Sequence, residues 1–189
     1  MKRFFVFTLT LLFSVTLLPS TSAAYTVSSM SAERVNATTA LYSISFTLGQ
    51  GSNQLRVPIL TERDYEGSAT NRIGYEVLLD GEDYTTDSTT RGIVASNATI
   101  EDGYYVVPAG SQERFTIYTI LTTTEADPEQ DYAIHINYLP FLQAELTNRY
   151  TPQELSHFIT PEIELNNPAE AEPVRIITGN SGSGLMISQ

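Results

Sequence analysis

A period of two runs through four segments of this chain, and it commits each of them to a β-strand. In the first, Ala40, Tyr42, Ile44, Phe46 and Leu48 fall on one side, with Leu41, Ser43, Ser45 and Thr47 on the other. Ile73, Tyr75, Val77 and Leu79 alternate in the same way with Gly74, Glu76 and Leu78. Phe115, Ile117, Thr119 and Leu121 alternate with Arg114, Thr116, Tyr118 and Ile120, and Tyr132, Ile134, Ile136 and Tyr138 with Ala133, His135 and Asn137. A helix would scatter each apolar set around its axis; a pleated strand puts it on one face.

Leu55, Val57 and Ile59 alternate with Arg56 and Pro58, and a proline without an amide donor predicts an edge position there. Gly92–Ser96, Tyr104–Val107 and Glu162–Leu165 read as shorter strands. Turn clusters at Gly49–Asn53, Asp80-Gly81 and Pro108-Ala109-Gly110 punctuate the runs. About seven to eight strands with frequent turns predict an all-β sandwich, with a closed barrel as the alternative. One short helix near the C-terminal end interrupts the pattern. Thr151-Pro152-Gln153-Glu154 supplies a cap residue, a proline at the first helical position and a glutamate at the third, the parts of a capping box. The expected helix is about two turns long. It turns Leu155, Phe158 and Ile159 to the core and stops at Pro161.

At the start of the chain, Lys2 and Arg3 precede an uncharged, largely apolar stretch from Phe4 to Leu18. Pro19 breaks it, and small residues lead to Ala23 and Ala24. That is the build of a secretory signal peptide, expected over residues 1–23, with cleavage leaving Ala24 or Tyr25 first. The 15-residue stretch falls short of the roughly 20 that a spanning helix needs; an uncleaved anchor is the alternative. Residues 24–165 are then the folded domain and 166–189 a flexible C-terminal tail. In that tail Asn166–Pro173 is linker-like, Gly179–Gly184 is a glycine-serine stretch, and Val174–Thr178 and Leu185–Ile187 are strand-prone patches. The expected location is secreted, extracellular or periplasmic, with no transmembrane segment after signal removal.

Composition narrows the chemistry. Of the 10 basic residues, Lys2 and Arg3 lie in the signal, which leaves eight arginines against 22 acidic residues, a net charge of −14. Such a field repels phosphate backbones and anionic headgroups, which argues against nucleic acid and membrane surfaces as partners. A domain without lysine has no Schiff-base, P-loop or isopeptide chemistry. The chain has no cysteine, so disulfides, thiol catalysis and Cys-type zinc sites are excluded and the core alone must hold the domain. Trp is absent, while all 11 Tyr lie beyond residue 23, suited to half-exposed sheet faces.

The stretch from Tyr104 to Phe141, with "VVPAGSQERFTIYTILTTTEADPEQDYAIHINY" inside it, is similar to the C-terminal half of bacterial and archaeal extracellular immunoglobulin-like domains. In those domains a Pro-Ala-Gly turn leads into a long strand, an acidic or Pro-containing corner, and a strand opened by Tyr. Pro108, Ala109 and Gly110 match the turn, Asp127-Pro128 the corner and Tyr132 the aromatic. The resemblance implies an Ig-like β-sandwich and a tyrosine corner at Tyr132, its hydroxyl bonded to backbone a few residues upstream. The Cys pair and Trp of antibody domains are missing, so only the architecture carries over. Such domains serve as spacers, adhesion modules and accessory domains, and fold selects none of these.

His135 and His157 are the two histidines and read as surface residues. The sequence holds no His-x-x-x-His, Gly-x-Ser-x-Gly or Gly-x-x-x-x-Gly-Lys motif, so no zincin, hydrolase or nucleotide site is expected. Acidic loops are the candidates for metal. Calcium takes roughly six to eight oxygens from flexible loops, and Asp80, Asp83 and Asp87 in one loop or Glu125, Asp127 and Asp131 in another would supply them. Neither run matches Asp-x-Asp-x-Asp-Gly, and solvated acidic turns are the ordinary explanation; no other cofactor is expected. Asn36-Ala37-Thr38 and Asn97-Ala98-Thr99 are glycosylation sequons. The expected function is a secreted or cell-envelope structural or adhesion module without catalysis, its partner a protein or glycan of the cell surface. One alternative is an extracellular pilus- or fibre-like assembly subunit that donates a C-terminal strand. The other is a carbohydrate-binding module using surface Tyr.

Overall fold

The computed structural model describes residues 24–49, 51–65, 67–85, 88–123, 130–144, 146–165 and 176–178. The expected signal peptide and most of the expected tail lie outside them. In chain order the elements are β1 (Ala24–Asn36), β2 (Thr39–Gly49), β3 (Leu55–Pro58), β4 (Leu60–Arg63), β5 (Arg72–Leu79), β6 (Glu82–Asp83), β7 (Ser88–Ser96) and β8 (Thr99–Glu101). There follow β9 (Tyr104–Val107), β10 (Gln112–Thr123), β11 (Gln130–Tyr138), β12 (Pro140–Gln143), β13 (Leu146–Arg149), α1 (Pro152–Leu155), β14 (Ile163–Leu165) and β15 (Ile176–Thr178). The protein is all-β with one short helix near its C-terminal end. Three sheets carry it: sheet A in the order β15-β1-β2-β10-β7, sheet B in the order β13-β12-β3-β9-β8, and sheet C in the order β14-β11-β5-β4 with β6 added to β5. Among the described residues β4 with β5 is the parallel pair, and the rest are antiparallel.

The four period-two segments became β2, β5, β10 and β11, and each has a neighbour on both sides. Their alternation is strongest because an interior strand buries its whole inward set. Tyr42, Ile44, Phe46 and Leu48 of β2 join Phe115, Ile117 and Leu121 of β10 in a core shared with Ile73, Tyr75, Val77, Tyr132, Ile134 and Ile136 of sheet C. Leu55, Val57, Tyr105, Val107 and Phe141 of sheet B belong to it as well. Three tyrosines put the ring in this core and the hydroxyl on an opposite sheet. Tyr42 donates to the Tyr132 carbonyl at 2.9 Å, Tyr105 to the Val94 carbonyl at 2.9 Å, and Tyr75 to Thr90 Oγ1 at 2.8 Å. Burial pushes the Tyr42 and Tyr75 phenols up from their ordinary value.

Sheet C meets sheet A where β4 lies against β7. Arg63 donates to the Ser88 carbonyl and hydroxyl at 2.9 and 2.8 Å and to the Tyr84 carbonyl. A Cβ at Gly92 would stand 2.5 Å from Thr61 Oγ1, so the two strands approach this closely because β7 carries glycine there. The type I′ hairpin at Asp80-Gly81, with both φ angles positive at 51° and 83°, is the turn those residues favour.

Several expectations change. Among the described residues fifteen strands stand where the alternation predicts seven or eight. β3 is not an edge strand, since β12 and β9 flank it. Its proline is tolerated because β12 pairs with Leu55 and Arg56 alone, so at Pro58 that flank carries no pairing. The helix has its capping box: Glu154 N–H donates to Thr151 Oγ1 at 3.3 Å, and Thr151 N–H donates to Glu154 Oε2 at 2.7 Å. The bond from Thr151 N–H, joined by one from the Thr151 hydroxyl to Oε2 at 2.8 Å, holds the pKa of the Glu154 carboxyl below its ordinary value. The helix is nonetheless a single turn, because the chain leaves it after Leu155 to run beside β11. There Ile136 N–H bonds the Phe158 carbonyl at 3.0 Å and Thr160 N–H bonds the Ile134 carbonyl at 2.9 Å. Leu155 and Phe158 are buried as expected, while Ile159 faces outward. Of the expected tail, Ile176–Thr178 pair with Glu33–Ser31 on the edge of β1.

Candidate functional site

The two acidic runs meet. Asp80 N–H donates to the Asp131 carbonyl at 3.0 Å, and Asp131 N–H approaches Asp80 Oδ1 at 3.4 Å. Asp83 lies two residues past the same turn, on β6, and Asp131 stands opposite Glu164 in the β11–β14 pairing. Asp87, Glu125 and Asp127 lie outside the described residues. Among the described residues no group of three or more His, Cys, Asp or Glu side chains converges as metal ligands would. Asp80 spends its carboxylate on backbone, which is the behaviour of a turn residue.

His135 is not a surface residue. It sits on β11 opposite Glu76, with Nδ1 2.6 Å from Glu76 Oε1 and Nε2 3.1 Å from the Leu155 carbonyl. Asn137 Nδ2 donates to Glu76 Oε2 at 3.2 Å. Nδ1 thus ties β11 to β5 within sheet C, Nε2 fastens the α1 segment to that sheet, and neither is directed at a hydroxyl nucleophile. His157 stands exposed just past α1. Tyr132, near the start of β11, donates to Gln130 Oε1 at 2.8 Å. Most of the upstream stretch where a tyrosine corner finds its backbone acceptor, residues 124–129, lies outside the described residues.

Shallow recesses open on the surface of the described residues, two of them on sheets A and B. One of about 320 Å³ is lined by Asn53, Gln54, Arg56, Leu142 and Ala144, the other of about 210 Å³ by Ala95, Ser96, Asn97, Arg114 and Thr116. Neither pairs an acid with a base. The sequons lie on exposed turns at opposite ends of sheet A. Asn36 closes β1 and accepts from Thr38 N–H at 3.0 Å, and Asn97 follows β7.

The most unusual surface is the outer face of sheet A. Ile93 is 61% exposed, Ile120 48% and Tyr118 38%, and Val35 is also exposed. Register makes them neighbours: Ile93 stands opposite Tyr118, and Ile120 lies between Arg91 on one side and Leu41 on the other. Around them the hydroxyls pair with each other, Ser31 with Ser43 at 2.7 Å and Ser45 with Thr116 at 2.8 Å, which lowers their demand for water. The sequence carried a sign of this face: Ile93, Tyr118 and Ile120 occupy positions where the alternation calls for polar residues. Among the described residues no helix is long and apolar enough to cross a membrane.

No protein-family model matches the sequence, and neither the curated proteins nor the solved structures contain a match.

Proposed function

We propose that this chain is an exported, non-catalytic module of the cell exterior that works by surface contact, as a structural or adhesive domain whose partner is a cell-surface protein. The outer face of sheet A carries the reading. An apolar strip of Leu41, Tyr118, Ile120 and Ile93 on a chain of net charge −12 is a place for another protein rather than for water. The engagement of both His135 nitrogens by structural acceptors supports the absence of catalysis. We read the three sheets as a variant of the Ig-like sandwich, supported by the turn at Pro108–Gly110, the long β10 and the position of Tyr132 near the start of β11. The test is co-sedimentation of labelled secreted protein with cell envelopes of its own host. The wild type is expected to bind and Ile93→Asp to lose most of that binding. A wild type that stays in the supernatant defeats the reading.

A second reading is favoured by β15. A three-residue strand occupies a 13-residue edge, so the same pairing made to the β1 of a neighbour would link subunits by strand donation. Truncation after Leu165 separates the two: multimers that dissolve on truncation favour donation, and envelope binding that survives it favours the face.

A further inference from the structure

We infer that the partner of the outer face of sheet A is a second copy of this chain, packed face to face about a twofold axis that runs along the strands between β2 and β10. This rests on the reading of that face as the working surface. One row across the sheet carries it. Arg91 on β7 stands opposite Ile120 on β10, Ile120 opposite Leu41 on β2, and Leu41 opposite Glu33 on β1. The row is positive at one end, apolar in the middle and negative at the other. Among the described residues neither Arg91 nor Glu33 has an ion-pair partner within its own subunit.

A twofold axis along the strands reverses the row without shifting it along the strand direction. Arg91 of one copy then faces Glu33 of the other, twice over, while Ile120 meets Leu41 and Tyr118 meets Ser43. Such an isologous contact is self-complementary by construction. Rotation about an axis across the strands would instead set Arg91 on Arg91, so the charges select one arrangement. Arg114 stands opposite Thr47 in the sheet, so the same axis brings it to Thr47 of the other copy rather than to its own image. The face is small. Four strands at about 4.8 Å spacing and eight residues at about 3.3 Å give ~500 Å² a side, below the ~800 Å² of a standard interface. The association is therefore transient, concentration-dependent and sensitive to salt through its ion pairs.

Sedimentation velocity on the secreted protein, from micromolar to near-millimolar concentration, tests this. A monomer–dimer equilibrium is expected, weakened at least tenfold by Ile120→Glu and by Arg91→Glu, and restored when Arg91→Glu is combined with Glu33→Arg. All these side chains are at least partly exposed, and an unchanged thermal transition verifies that the variants fold. A monomer at every concentration overturns the second copy; if Ile120→Glu still abolishes envelope binding, the surface reading stands without it. A dimer indifferent to Ile120→Glu overturns the face, and a charge swap that fails to restore association overturns the twofold arrangement. A full chain that stays monomeric while one ending at Thr178 dimerises would make residues 179–189 the occupant and overturn the inference.

Discussion

The Tyr42 hydroxyl reaches across the core to the Tyr132 carbonyl at 2.9 Å, so residues 90 positions apart in the chain are joined by a buried bond between sheets A and C. Tyr42→Phe keeps the ring and removes the donor. The loss is expected to be about 1 kcal/mol, with more if the carbonyl is left without a second partner. Chemical denaturation with a shifted midpoint and unchanged slope checks it. A variant as stable as the wild type would show that the bond adds nothing to sheet packing.

Alkaline pH should unfold this domain through its tyrosines. Burial raises the phenol pKa values of Tyr42, Tyr75, Tyr138 and Tyr150 above their ordinary value of 10.0, the loss of water around each ring being the largest cause. The unfolded chain ionises them near that ordinary value while the folded chain keeps them protonated. The tyrosine contribution to stability is therefore constant below about pH 10 and falls as pH rises toward the folded-state values. Absorbance at the phenolate band, followed with circular dichroism, should show a group of tyrosines ionising only as structure is lost. All 11 titrating together in a folded protein would contradict the burial argument.

Arg34 presents the opposite case. The residue is buried at 7% exposed, and among the described residues neither Nε nor Nη2 has an acceptor. A guanidinium held this way lowers stability relative to an apolar group of equal length, so Arg34→Met should raise it by on the order of 1–3 kcal/mol. Thermal unfolding decides, and a lower melting temperature would mean that the guanidinium is satisfied in solution.

At the acidic end, Asp131 opposite Glu164 is a like-charge cross-strand pair beside Asp80. Glu164→Gln should stabilise by a few tenths of a kcal/mol, up to about 1. Calcium and sodium at matched ionic strength should raise the melting temperature equally, because screening is the mechanism. A calcium-specific rise abolished by Asp83→Ala or Asp127→Ala would replace solvated turns with a metal site.

β2, β5, β10 and β11 were legible because each buries one unbroken side. β1 was not, although at 13 residues it is the longest strand. A register shift between Val27 and Ser29 changes which residues point inward: Tyr25 and Val27 pack on the core before it, Met30 and Ala32 after it. The alternation resets in mid-strand, and small or polar residues carry much of it. Pro58 misled for a related reason, since pairing on the β12 flank ends before reaching it. His135 looked exposed because its position alternates with buried residues; the chain that covers it comes from beyond α1, which periodicity cannot report. The outer face of sheet A was visible only as apolar residues in the wrong phase.

The strand order of sheet A has a consequence for how the chain is made. β2 lies between β1, its immediate predecessor, and β10, whose Gln112 stands opposite Gly49. On a chain that emerges N-terminus first, the hairpin of β1 and β2 must wait, its Tyr42-to-Leu48 side bare, until β10 arrives. Closure is therefore late and dominated by distant pairings, which makes for slow folding and a vulnerable interval before it. A nascent chain arrested before Gln112 would be the form most in need of a chaperone.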